Sequence, residues 1–126
     1  VLKSLNKYYA TDLGVKKDKS NSKEVNYSQA LENVVYNELI CLGYDVYVGK
    51  TIKGEVDFLA SKNGEIKYIQ VCYDLSHEET RKREFGAYDT IKDQYPKYVI
   101  SMNSEDYSIN GIKHLNIFDF LMNDEF

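Results

Sequence analysis

The sequence predicts an α/β fold, a mixed central sheet flanked by helices, built in the order helix, three-strand meander, helix, strand. Three observations carry this. Residues 55–74 alternate in the period of two strands around Asn63-Gly64, the preferred pair for a two-residue hairpin because both central positions need positive φ. Residues 26–42 switch to helical spacing and stop at Gly43. Residues 97–102 form a short apolar run of the kind found in strands covered on both faces.

In chain order, residues 7–12 read as a short strand ended by Leu13-Gly14. Residues 14–26, whose stretch 16–24 holds no apolar residue, read as a mobile loop. Leu31, Val34, Val35, Leu39 and Leu42 fall on one face of the first helix. Glu32 lies one row over, in line with Tyr36 and Leu39. It is either a flanking surface carboxylate or a group leaning toward whatever the helix packs on. Residues 44–48 are the next strand, and Val56, Phe58 and Ala60 are expected to share one face of the strand after it. Asp57 stands between two of these, and a buried carboxylate is costly without a partner. Gln70 and Cys72 share a face of the following strand. Ser76 with Glu79 predicts a capping box opening a second helix. That helix buries Phe85, Tyr88 and Ile91 and ends before Pro96. Residues 112–115 make a last strand, and Asn116 caps a final helix reaching Met122.

Length and composition bound the rest. The 126 residues have room for one domain and one core, read as spanning 1–126. Twelve tyrosines accompany no tryptophan. No apolar run approaches the roughly 20 residues of a membrane-spanning helix, and the first residues carry no secretory pattern, so a cytoplasmic protein without membrane contact is expected. A chain beginning at Val1 reads as part of something longer. Cys41 and Cys72 lack metal-type spacing and read as reduced thiols, a disulfide being the alternative. The net charge of −4 is uneven: residues 1–26 hold six lysines against three acids, and residues 103–126 one against five. That excludes the strong basic stripe of a dedicated nucleic-acid binder. Arg81, Lys82 and Arg83 are the dense basic cluster near the hairpin, interleaved with Glu78, Glu79 and Glu84; a salt-bridged solvent face is the plain reading. His77 reads as solvent-facing and His114 as a strand histidine. No phosphate-binding glycine loop and no Ser or Cys nucleophile motif occurs.

The order of elements resembles the core of the PD-(D/E)XK nuclease-like superfamily. The residues that carry the resemblance are Glu32, Asp57 within Gly54-Glu55-Val56-Asp57-Phe58, and Gln70-Val71-Cys72. With Leu31-Glu32-Asn33-Val34-Val35-Tyr36, Thr80-Arg81-Lys82-Arg83-Glu84-Phe85, Tyr95-Pro96-Lys97-Tyr98-Val99 and Gly111-Ile112-Lys113-His114, the chain looks like one branch. That branch is the nuclease-like domain of unknown function at the C-terminus of prokaryotic AAA-type ATPases. The resemblance implies a restriction-endonuclease-like fold and an ATPase module of the same longer chain as partner. It implies Mg²⁺ as cofactor, with Glu32, Asp57 and Gln70 as ligands. Asp57, Gln70 and Cys72 fall on the catalytic positions, and Arg81, Lys82 and Arg83 lie nearest DNA phosphates. Such a site uses the metal to neutralise phosphate oxygens and orient hydroxide, and a lysine to stabilise the charge that develops.

The sequence departs from the active pattern twice. Gln70 stands where an acid is usual, and Cys72 where the motif has Lys. The preferred expectation is therefore a catalytically degenerate accessory domain that holds nucleic acid or protein. The alternative is a Mg²⁺-dependent DNA endonuclease with a relocated lysine, Lys53 or Lys82. A third possibility is that Asp57 pairs with a local cation and only stabilises the fold.

Overall fold

The structure is a computed structural model that describes residues 2–4 and 23–126. Among these, one six-stranded sheet runs in the order β1 (Leu2–Ser4), β2 (Asp45–Thr51), β3 (Gly54–Lys62), β4 (Glu65–Val71), β5 (Lys97–Ser101), β6 (Ile112–Asn116). The pairs β1/β2, β2/β3 and β3/β4 are antiparallel, and β4/β5 and β5/β6 are parallel. The helices are α1 (Lys23–Cys41), α2 (Glu78–Gly86) and α3 (Ile117–Leu121). Helix, three-stranded meander, helix, strand is thus the observed order, that of a restriction-endonuclease-like core. The strand expected over 7–12 lies outside the described residues. So does the expected loop up to residue 22; from Lys23 the chain is already helical.

The β3–β4 hairpin forms as its sequence requires: Lys62 pairs with Glu65, and Asn63 and Gly64 carry φ of 53° and 83°. Two apolar clusters flank the sheet. One joins Leu31, Val35, Tyr36 and Leu39 of α1 to Phe58, Ala60, Ile69 and Val71, and to Phe120 of α3. The other holds Val56, Cys72, Leu75, Phe85, Tyr88 and Val99 on the α2 side. Val34 does not belong to the buried stripe of α1. It is 42% exposed, and Tyr36 is buried in its place.

Two local expectations fail for identifiable reasons. Ser76 does not cap α2; His77 occupies that position without a side-chain bond. Instead, the Ser76 hydroxyl and N–H both donate to the Asp74 carboxylate, at 3.0 and 2.9 Å. The helix then ends at Gly86, so Tyr88 and Ile91 reach the core from turns beyond it. At the last helix, Asn116 accepts from the Phe118 N–H as expected of a cap.

Val56 and Phe58 belong to opposite faces. Tyr47 pairs with Leu59 but Gly49 pairs with Val56, so Val48 faces two residues of β3, Asp57 and Phe58. That extra residue is a β-bulge, which reverses the in/out alternation and re-aims the side chains at the kink. Asp57 sits in it.

Candidate functional site: an acidic cleft at the bulge of β3

The registered pairing between β3 and β4 begins at Phe58–Ile69. At the next rung side chains take over from the backbone ladder. The Asp57 N–H donates to Gln70 Oε1 at 2.7 Å, and the Val71 N–H donates to Asp57 Oδ2 at 2.8 Å. The Gln70 amide nitrogen donates onward to Glu84 Oε1 at 3.1 Å. Because an N–H must meet an oxygen, the Asp57 bond fixes which end of the Gln70 amide is which. Gln70 thus braces β3 to α2 with both ends of its amide engaged.

A cleft of about 390 Å³ opens here. Asp57, Gln70 and Glu84 form its buried or half-buried floor, and the exposed Lys53, Glu55, Lys82 and Arg83 its rim. Burial pushes the Asp57 carboxyl well above the usual carboxylate range, the nearby Glu32 charge pushes it further, and the Val71 N–H opposes both. Glu84 and Glu55 add to the rise. Glu84 is itself raised, by burial first and by Glu32, against the pull of Arg83 at 3.5 Å. Carboxylates from α1, β3 and α2 therefore feel one another across the end of the sheet. Such a group must share protons, or receive a cation, to ionise fully.

Cys72 follows β4 directly. It is 7% exposed, packs in the α2-side cluster, and its Sγ lies 3.5 Å from the Asp74 carbonyl. Burial, reinforced by Glu84, pushes its thiol up to about 11. At neutral pH it is a neutral thiol. Cys41, in contrast, is exposed, and both cysteines are free.

The basic cluster divides. Arg81 donates to the Leu75 and Ser76 carbonyls at 2.8 and 3.0 Å, and its guanidinium lies 4.7 Å from the centre of the Tyr107 ring. It anchors α2. Lys82 is exposed beside Glu78 at 3.8 Å, and Arg83 leans on Glu84. Lys53 reaches the Gly86 carbonyl at 3.1 Å and Asp89 at 3.3 Å. His77 is exposed. His114 is buried, with Nε2 2.7 Å from Ser101 Oγ while its Nδ1 accepts from the Tyr107 N–H. The proton therefore sits on Nε2, and His114 cannot act as a base toward that serine.

The structure brings together Glu32, Asp57 and Gln70, three of the residues singled out in the sequence, and adds Glu84, which sequence reasoning had left on the solvent face. The missed signal was spacing: Arg81, Glu84, Phe85 and Tyr88 fall three and four apart, placing Glu84 against the buried edge of its helix. Among the described residues, no group of three or more His, Cys, Asp or Glu side chains is arranged to hold a metal ion. Asp57 with Glu32 still offers hard carboxylate oxygens of the type Mg²⁺ takes one or two of.

Fold and site define a class: a restriction-endonuclease-like α/β core with an acidic cleft where the meander meets the second helix. The chain is similar to an uncharacterized protein of Haemophilus influenzae, 37% identical over 122 residues, which is 96% of this chain and 30% of that protein. The chain thus spans under a third of that relative's length. No family model and no solved structure matches it. Among the described residues, no helix is long and apolar enough to cross a membrane.

Proposed function

We propose that this is a PD-(D/E)XK-like domain of a longer, cytoplasmic AAA-type ATPase chain, and that it holds nucleic acid without cutting it. The observation that carries this is Cys72. The position beside the Asp57 cleft where the fold's chemistry needs an ammonium holds a buried thiol that stays neutral at physiological pH. Losing one group that stabilises transition-state charge costs on the order of 3–4 kcal/mol, about 10²–10³ in rate. A phosphodiester bridged by a cation to the acidic floor would also face the Lys53, Lys82 and Arg83 side chains of the rim, which supports the reading. When Mg²⁺ is bound, Asp57 and Glu32 would hold it, and it would neutralise phosphate oxygens. Gln70 then serves to fix Asp57, and Glu84 supplies the second acid that position 70 lacks. That the related Haemophilus protein is much longer than this chain supports a place within a multidomain chain.

The second reading, a Mg²⁺-dependent endonuclease with a relocated lysine, is favoured by Lys53 and Lys82 both lining the cleft. Incubating labelled plasmid and single-stranded DNA with Mg²⁺ or Mn²⁺, while following binding in parallel, separates the two. Binding without strand scission is expected. Scission that disappears in Asp57→Ala would overturn the non-cutting reading.

A further inference from the structure

We infer that the nucleic acid held here is single-stranded, with one unstacked base entering a tyrosine-lined cavity that meets the acidic cleft along α2. This rests on the reading of that cleft as the seat of the phosphodiester backbone. The cavity measures about 980 Å³ and shares Lys82 and Gly86 with the cleft. Phe85 and Tyr88 are its buried rings, Tyr107 is half-buried under the Arg81 guanidinium, and Tyr95 stands 43% exposed at the opening. Its charged side chains are all engaged, Arg81 by the Leu75 and Ser76 carbonyls and the Tyr107 ring, the others by opposite charges. Lys82 faces Glu78 at 3.8 Å, Lys97 faces Asp93 at 3.0 Å, and Asp89 faces Lys53 at 3.3 Å. A phosphate would have to compete with these partners, whereas a planar base would meet the exposed ring of Tyr95.

The charge balance of the chain points the same way. A chain of net charge −4, whose three rim cations each already face an acid, gains little from counterion release on a duplex. Stacking on aromatic rings supplies affinity without net charge, and only an unpaired base offers its faces. A duplex keeps its bases stacked inside and would present phosphates alone.

The test is fluorescence anisotropy with labelled oligothymidylate of about 12 nucleotides, an abasic strand of the same length, the matching duplex, and oligouridylate. Thymidylate should bind roughly 5- to 150-fold tighter than the abasic strand, the range for one stacked base. Tyr95→Ala should erase that difference while Tyr95→Phe keeps it. Tyr95 is exposed, and matching thermal melts verify that both variants fold. Equal binding of uridylate extends the site to RNA; weaker binding assigns it to DNA, and either supports the base pocket. Equal binding of thymidylate and abasic strands, both lost in Asp57→Asn, overturns the base pocket and leaves the cleft. An unchanged preference for thymidylate in Tyr95→Ala also overturns it. No binding of any strand overturns both.

Discussion

Replacing Asp57 with Asn should stabilise the protein, and increasingly so as pH rises. Asparagine keeps an oxygen for the Val71 N–H and removes a charge that burial, Glu32, Glu84 and Glu55 all disfavour. The sign follows from the raised pKa. The folded protein retains the Asp57 proton at pH values where the unfolded chain has lost it. Its contribution is therefore fully present below the unfolded pKa and is lost as pH rises through the folded one. Each unit of that rise is worth about 1.4 kcal/mol. Relief of one buried, disfavoured carboxylate is expected on the order of 1–3 kcal/mol. For a chain of this size that is a rise in Tm of roughly 4–10 °C. Thermal melts of wild type and Asp57→Asn from about pH 4 to 9 read the difference directly, since contributions from Asp74 and Asp93, both lowered, cancel in the comparison. Curves that stay parallel across this range, or an Asn variant that loses stability, would refute the reasoning.

Four further outcomes are expected. Arg81→Lys should destabilise by about 1–2 kcal/mol in urea unfolding, because an ammonium cannot reproduce the fork onto two carbonyls or the stacking on Tyr107. Lys82→Ala, one residue away and paired only at the surface, should stay within about 0.5 kcal/mol. Aromatic-disulfide titration of native protein at neutral pH should modify Cys41 promptly and Cys72 only on unfolding, as the burial and raised pKa of Cys72 require. Ser101→Ala should cost about 1–3 kcal/mol, since the buried His114 Nε2 and the half-buried N–H of Asn103 both lose their acceptor.

The parts legible in the sequence were those set by local chemistry. Asn63-Gly64 dictates its turn through backbone φ, and Asn116 its cap through one side-chain oxygen, so neither needed tertiary information. The bulge at Asp57–Phe58 was hidden because the alternation of Val56, Phe58 and Ala60 reads the same with or without an extra residue; only the partner strand defines it. The Ser76 cap failed because Asp74, two residues earlier, competes for the same hydroxyl. Val34 was placed in the core by period alone, whereas the packing of α1 on β2 and β4 leaves it exposed and buries Tyr36. At the site, the meeting of Glu32, Asp57 and Gln70 followed from element order. Glu84 did not, because its neighbours Arg83 and Glu79 made it look like one more solvated charge. Arg81 was grouped with two exposed cations on composition, and its carbonyl anchors lie six and five residues back in the chain.

The proposed function requires the carboxylates gathered at the β3 bulge to make a cation-dependent seat for phosphodiester rather than a stabilising ion pair. Thermal melts of wild type and Asp57→Asn across a Mg²⁺ titration at slightly alkaline pH test it most directly. A ligand bound only by the folded state stabilises by about 2.7 kcal/mol at a hundredfold excess over its Kd. Wild-type Tm should climb with Mg²⁺ and level off, and the Asn variant should start higher and stay flat. A wild-type Tm indifferent to Mg²⁺, or a variant that climbs equally, would rule out a cation seat at Asp57.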